Sequence, residues 1–439
     1  MRTLKPWEEI YASKLVPVTD AIKNIKNGDR VVLGHATAEP TYILDTMVEN
    51  YKDFKNVELC QVVTLSKGKY VAPEMEGHFR YNGLFLSGST RGAVSANRAD
   101  FTTSFFHEIP ELFRSALPVD VELVMVSAPD KHGFCSFGAS SDFTKPVSQC
   151  AKTIIAQVNT YVPRTFGDNS IHVKDIDYIV EHNAPIVEAP PAPIGVDESK
   201  IGAFCASLIE DGDTLQIGIG SIPESVLTYL WDRKDLGLHT EMVSDGVVDL
   251  IEAGIINNSK KPIHKGKSVT TLVMGTRKVY DFIDDNPTFE LYPVEYTNDP
   301  RTIALHDNMV SINSCIQVDL FGQVVSESIG LKQFSGVGGQ VDFIRGSNMS
   351  KGGRAIVAML STASSGKISR IVPFIDHGAA VTTSRNDVSY VVTEYGIAYL
   401  KGKTLAQRAK TLIEIAHPSF RDELRAEYEK RFNEKYCID

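Results

Sequence analysis

One phrase occurs twice in this chain and limits what it can fold into. Residues 28–34 read Gly-Asp-Arg-Val-Val-Leu-Gly, and residues 212–218, 184 positions further on, read Gly-Asp-Thr-Leu-Gln-Ile-Gly. Each phrase leaves a helical stretch, runs into a short apolar strand and stops at a glycine. A proline follows in each half, Pro40 and Pro223, before a new helical pattern (Tyr42 to Val48; Glu224 to Leu230). A fainter pair, Asp130-Lys-His-Gly133 and Asp319-Leu-Phe-Gly322, follows the β-rich runs Val121 to Val126 and Met309 to Val318, 189 positions apart. Repetition at two nearly equal offsets predicts two related α/β domains. Between them, residues 183–195 carry four prolines, which cannot sit inside a helix or a central strand. That segment is expected to be an extended linker, with the boundary near residue 190 and domains at 1–190 and 191–439.

The strand expectations are Val31-Val-Leu, Val121 to Val126, Thr153 to Val158, Leu215 to Ile219, Val269 to Met274, Ala355 to Leu360 and Tyr390 to Thr393. Several are apolar on both faces, as strands covered by helices on both sides are. Leu405 to Ala416 should be helical. After His417-Pro418, Ser419 can cap a last helix whose Phe420, Leu424, Tyr428 and Phe432 recur every four residues. The glycine loop at 335–339 is followed by a strand-like Val-Asp-Phe-Ile.

Composition removes several function classes. A length of 439 residues fits two or three domains at about 150 each. A formal charge of −10 argues against nucleic-acid binding, which needs a basic surface. No apolar run approaches the roughly 20 residues that span a bilayer, and the N-terminal Met-Arg-Thr-Leu-Lys-Pro-Trp-Glu-Glu lacks a signal peptide's apolar region. The six cysteines are scattered with no CxxC pair, as expected for reduced thiols in a cytoplasmic protein. With no HExxH, no paired-histidine spacing and no cysteine cluster, no metal site is expected. A P-loop and a G-x-S-x-G elbow are also absent.

Three glycine-rich segments and two glutamates remain as carriers of chemistry. Gly218-Ile-Gly-Ser-Ile-Pro223 joins a strand to a helix, where a ligand can approach the backbone and helix N–H groups face an anion. Ser335-Gly-Val-Gly-Gly-Gln340 has three glycines in four residues, suited to wrapping a ligand or forming an oxyanion nest. Thr393-Glu-Tyr-Gly396 puts a carboxylate at a strand's end, where open α/β sheets place ligands. Glu241 sits in the apolar run Leu238-His-Thr-Glu-Met-Val, an expensive place for a carboxylate without partners. Residue chemistry alone leaves Glu241 and Glu394 tied as nucleophile or general base. His377 and His107 are further candidates.

Taken together, Gly218-Ile-Gly-Ser-Ile-Pro, Leu238-His-Thr-Glu-Met-Val-Ser-Asp-Gly, Phe334-Ser-Gly-Val-Gly-Gly-Gln-Val-Asp-Phe and Val392-Thr-Glu-Tyr-Gly-Ile-Ala resemble the acetyl-CoA hydrolase/transferase family. The likeness runs over nearly the whole chain and is strongest to the 4-hydroxybutyrate and butyryl-CoA:acetate transferases. It implies two α/β domains of the CoA-transferase (NagB/RpiA-like) type with the active site between them. It implies Glu241, not Glu394, as the nucleophile. Coenzyme A contacts are implied at Gly218, Ile219, Gly220, Ser221 and Ile222, at Ile316, and at Gly338, Gly339 and Gln340. Ser221 stands where relatives carry Ala or Gly, and its hydroxyl is small enough to leave the backbone approachable. Coenzyme A would then be a substrate, with no permanent cofactor, and CoA would pass between a short-chain acyl-CoA and an acid such as acetate through a glutamyl-CoA thioester. Lys332, Arg345, Lys401 and Lys403 are candidate partners for the CoA phosphates. A homodimer is the expected assembly. An acyl-CoA hydrolase using the same glutamate, and a sugar-phosphate isomerase or sensor on a related fold, are the alternatives.

Overall fold

In a computed structural model, residues 5–437 are described; the first four residues of the N-terminal stretch lie outside that range. The chain divides into two compact units, Met1–Ala189 with Val269–Thr297, and Pro190–Ser268 with Asn298–Asp439. Residues 269–297, which the sequence groups with the C-terminal half, therefore belong to the first unit. The proline-rich segment 183–195 has no regular structure.

The first unit is built on seven parallel strands: β1 (Arg30–Leu33), β2 (Val57–Gln61), β3 (Phe79–Gly83), β4 (Asp100–Phe101), β5 (Val121–Val126), β6 (Thr153–Val158) and β7 (Tyr178–Glu181). They lie in the order β7-β6-β5-β1-β2-β3-β4. All six residues of β5 are buried, because both faces of the sheet are covered. The second unit carries β8 (Thr214–Ile217), β9 (Gly237–Leu238), β10 (Met309–Ser314), β11 (Arg354–Ala358), β12 (Tyr390–Thr393) and β13 (Gly396–Tyr399). Their order is β9-β8-β10-β11-β12-β13, parallel except for the β12–β13 hairpin. Reversed, its first five strands repeat the order β7-β6-β5-β1-β2 of the first unit, each in the same chain sequence. The duplication expected from the repeated phrase is thus present in the topology.

It is also present in the turns. Gly28 and Gly212 have φ of +84° and +83°, and the aspartate after each caps the preceding turn. Asp29 Oδ2 accepts from Lys26 N at 2.7 Å, and Asp213 Oδ2 from Glu210 N at 2.6 Å. Asp130 Oδ1 accepts from His132 N and Phe134 N at 2.8 and 3.0 Å. Asp319 Oδ1 does the same with Phe321 N and Gln323 N, both at 2.9 Å. Gly133 and Gly322 complete these turns with φ of +90° and +85°, a conformation open to glycine at no steric cost.

Helices α1 (Thr41–Glu49) and α2 (Ser221–Thr228) follow β1 and β8. Pro40 precedes α1, whereas Pro223 lies inside the first turn of α2, where the missing N–H has no intrahelical acceptor to lose. Three expectations change. Val341 to Ile344 is not a strand but part of helix α3 (Gln340–Met349). Seven of its ten residues are buried, so the helix is covered on most sides, and Gly346 lets α3 approach Ile303. Val269 to Met274 is split into Ser268–Thr270 and Leu272–Val273, and the first piece pairs outside the main sheets. The C-terminal helices are α4 (Leu405–Glu414) and α5 (Pro418–Phe432), but His417, not Ser419, caps α5: its Nδ1 accepts from Ser419 N at 3.2 Å. Pro418 holds the first helical position, which moves the cap one residue upstream. Leu424 and Tyr428 of α5 are buried in the second unit's core, as its four-residue period requires.

Candidate active site

In the second unit the candidate segments gather at the carboxyl ends of the parallel strands, where open α/β sheets bind ligands. Gly218 follows β8, Glu241 lies three residues beyond β9, Ile316 two residues beyond β10, and Glu394 directly after β12. Residues 218–222 turn from β8 into α2. Gly220 is the helix cap with φ +113°, a conformation that side-chain-bearing residues rarely adopt, and open space surrounds its Cα. Ile219 is exposed and Ile222 buried. Thr240 ties this turn to Glu241: its hydroxyl accepts from Ile217 N at 3.3 Å and stands 3.1 Å from Ile217 O.

Glu241 is not inside a continuous strand. It occupies a bend between Gly237–Leu238 and Met242–Val243 and is half-buried. Asn298 Nδ2 donates to Glu241 Oε2 at 2.7 Å. Asn298 itself is fully buried. The glycine loop then closes on the pair. A Cβ on Gly339 would stand 2.9 Å from Glu241 Cδ and closer still to Oε2 and to Asn298 Nδ2. Gly339 has φ −89°, so its lack of a side chain serves proximity, not backbone freedom. Gly338, at φ +55°, is the residue that needs the left-handed conformation. Gln340 begins α3 and is buried.

Glu394 has a different setting. It is buried and accepts from Ser361 N at 2.8 Å and from Ser361 Oγ, which occupies both carboxylate oxygens with one residue's donors. Ile316 pairs through its own backbone, N to Val325 O and O from Arg370 Nε, both at 2.8 Å. His377 is on an exposed turn, and His107 belongs to the first unit. Arg345 pairs with Asp387 at 3.4 Å. Lys401 and Lys403 follow the antiparallel β13 and so lie toward the amino end of the sheet, away from Glu241. Lys332 is exposed on the Lys332–Gln333 strand that leads into the glycine loop.

Two features escape the sequence. Asn298 stands in Asn298-Asp-Pro, where Asp299 caps the next helix through Arg301 N at 2.8 Å, so the whole tripeptide looks like a helix start. His306 is fully buried with its ring centroid 4.5 Å from that of His239. Burial, with His239, Lys261 and His264 adding to it, pushes the His306 imidazole well below its ordinary range, so it is neutral at pH 7.

Models of the acetyl-CoA hydrolase/transferase N-terminal and C-terminal domains match residues 2–189 and 275–428. A 4-hydroxybutyrate coenzyme A transferase of Clostridium kluyveri is 58% identical across 97% of this chain and 100% of its own length. The chain belongs to the acetyl-CoA hydrolase/transferase family. It is an enzyme of that family's CoA-transferase type. Crystal structures agree. RipA from Yersinia pestis has a TM-score of 0.93 at 35% identity, covering 98% of this chain and 100% of its own. A 4-hydroxybutyrate CoA-transferase from Porphyromonas gingivalis has a TM-score of 0.85 at 43% identity, covering 97% and 100%. Among the described residues, no helix is long and apolar enough to cross a membrane, and no group of histidine, cysteine and acidic side chains is arranged to hold a metal ion.

Proposed function

We propose that this enzyme moves coenzyme A between a short-chain acyl-CoA and a carboxylic acid such as acetate, with Glu241 as the covalent carrier. The relatives' names favour 4-hydroxybutyryl-CoA as donor, with butyryl- and acetyl-CoA close in size; one methylene is worth only about 1–3 kcal/mol in a pocket.

The Glu241 carboxylate attacks the thioester carbonyl, the carbon–sulfur bond breaks, and CoA leaves as the thiolate from a mixed acyl–glutamyl anhydride. The thiolate then attacks the glutamyl carbonyl. The anhydride C–O bond breaks, releasing the first acid as its carboxylate and leaving a glutamyl-CoA thioester. A second carboxylate runs the same steps backward and departs as its CoA ester. Thioester energy is conserved, so no nucleotide is consumed.

The observation that carries this proposal is the packing of Gly339 on the Glu241 carboxylate, with Asn298 bonded to the same oxygen. A carboxylate is a weak nucleophile in water and gains reactivity when it is oriented and desolvated. Orientation alone is worth roughly 7–11 kcal/mol. The glycine loops at 218–222 and 335–339 offer backbone N–H groups to the pantetheine arm and to the developing oxyanion, where one donor is worth a few kcal/mol.

Glu241→Ala should abolish acyl exchange while CoA still binds. Mass spectrometry of enzyme quenched during turnover should find CoA on the peptide containing Glu241; an adduct on Glu394 would overturn the assignment. CoA release that proceeds equally without acetate would identify a hydrolase instead.

A further inference from the structure

We propose that Lys261, together with Asn258, is a positioning residue for Glu241, acting as a side-chain clamp on the outer edge of β9. This inference rests on Glu241 being the nucleophile.

β9 is the edge strand of the second unit's sheet. On its inner side it pairs with β8 in the ordinary way, Gly237 N to Asp213 O at 2.8 Å and His239 N to Leu215 O at 3.1 Å. An edge strand's outer side carries a row of backbone donors and acceptors that must find partners when buried. At Leu236 they are met by backbone: its N–H donates to Ile255 O at 2.9 Å, and its carbonyl accepts from Asn257 N and Asn258 N, both at 3.0 Å. At Leu238 side chains take over. Leu238 N donates to Asn258 Oδ1 at 2.8 Å, and Leu238 O accepts from Lys261 Nζ at 2.8 Å. Both clamping residues are themselves anchored. Asn258 Nδ2 donates to Ser268 Oγ at 3.0 Å, and Lys261 Nζ to Lys267 O at 2.7 Å. Asn258 and Lys261 are 4% and 2% exposed.

A buried ammonium loses its hydration and is a costly way to finish a strand edge when backbone would serve, as it does two residues earlier. The fold is nevertheless shaped to receive it. A Cβ on Gly237 would stand 2.7 Å from Lys261 Cγ, so the glycine of β9 is a slot for the lysine stem. The clamp closes three residues before Glu241, and the intervening residues are held in turn. His239 packs against His306, and the Thr240 hydroxyl is bonded to Ile217 and donates to Met242 O at 3.0 Å. Position is thereby relayed from Lys261 along 238, 239 and 240 to the carboxylate. Lys261 acts through this backbone and not on the substrate. A displacement of about 1 Å in a reacting group can cost 10²-fold in rate.

The test compares full-length wild-type enzyme with Lys261→Met, which keeps the stem over Gly237 and removes the donors. Quenched-flow mass spectrometry follows the rate at which acyl-CoA labels the enzyme, with KM and the thermal midpoint measured alongside. The expected result is at least a tenfold slower adduct and lower kcat, a KM for acyl-CoA within threefold, and the adduct still on Glu241. Gly237→Ala displaces the lysine without deleting it and should slow the adduct as well. An adduct rate within twofold of wild type per folded enzyme would overturn the clamp. If Lys261→Met does not fold, the rate of Gly237→Ala alone decides by the same twofold limit. An adduct on a residue other than Glu241 would overturn the nucleophile instead, whatever its rate.

Discussion

Gly339→Ala is the most direct probe of the site, because the structure states what the added methyl would meet. Its carbon would stand 2.9 Å from Glu241 Cδ, while ordinary contact begins at 3.4 Å. The carboxyl carbon must therefore retreat by about 0.5 Å, and Oε2, which is closer, by well over 1 Å. That movement breaks the 2.7 Å bond from Asn298. Asn298 is fully buried and its Oδ1 meets no hydrogen-bond partner among the described residues, so its amide would lose the bond it has. An unsatisfied buried donor costs about 1–3 kcal/mol. The stability loss should fall in that range, because the loop can shift to relieve part of the overlap. The catalytic loss should be larger: with Glu241 as the proposed nucleophile, misplacing it by about 1 Å predicts a fall in kcat of about 10²-fold. Steady-state exchange between butyryl-CoA and acetate gives kcat and KM, and denaturant unfolding gives the stability change. A variant that exchanges acyl groups within threefold of wild type, with unaltered unfolding, would show that the carboxylate does not need the space Gly339 leaves and would refute the reasoning.

Glu394→Gln should leave the CoA adduct on Glu241 and cost about 1–3 kcal/mol of stability, since both Ser361 donors lose a charged acceptor and one of them meets an amide NH2; mass spectrometry and unfolding measure the two effects separately. Gly346→Ala should destabilise by about 1–3 kcal/mol, because the new methyl meets Ile303 Cβ at 2.5 Å, and it should leave the adduct chemistry intact. Glu122 is fully buried on β5 with both carboxyl oxygens lacking a hydrogen-bond partner among the described residues, and burial raises its pKa well above the ordinary carboxylate range. The unfolded chain then ionises first, so this residue makes stability fall as pH rises above about 4.5. As pH rises from 5 towards 7 wild type should lose stability relative to Glu122→Gln, and parallel stability curves for the two proteins would contradict the assignment.

How much of this was legible in the sequence follows from where each residue's partners lie. β5 and β6 are mostly apolar because both faces are covered, and apart from Glu122 in β5 and Thr153 and Gln157 in β6 every residue announces a buried strand. β2 and β3 do not. Glu58 of β2 pairs with Arg30 of β1 at 2.7 Å, a cross-strand partner that a linear reading cannot see, so Val57-Glu-Leu-Cys-Gln passes for mixed surface sequence. Val341-Asp-Phe-Ile alternates like a strand, but all four are buried in α3, where Gly346 lets the helix approach Ile303, 43 positions back along the chain. The two glutamates were tied by residue type. They part in space through Ser361 on one side and Asn298 on the other, 33 and 57 positions away along the chain.

The glycines carry the deeper lesson. Gly28, Gly133, Gly212 and Gly322 are legible because a turn needs their positive φ and a local aspartate marks it. Gly237 and Gly339 are not of that kind. Neither has positive φ, and a chain confined to local rules would accept alanine at both. Each is glycine because another side chain occupies the volume of its missing Cβ: Lys261 over Gly237, and Glu241 under Gly339. A glycine that no backbone angle explains therefore points to a neighbour that must come close, as Ile303 does at Gly346, Lys261 at Gly237 and Glu241 at Gly339.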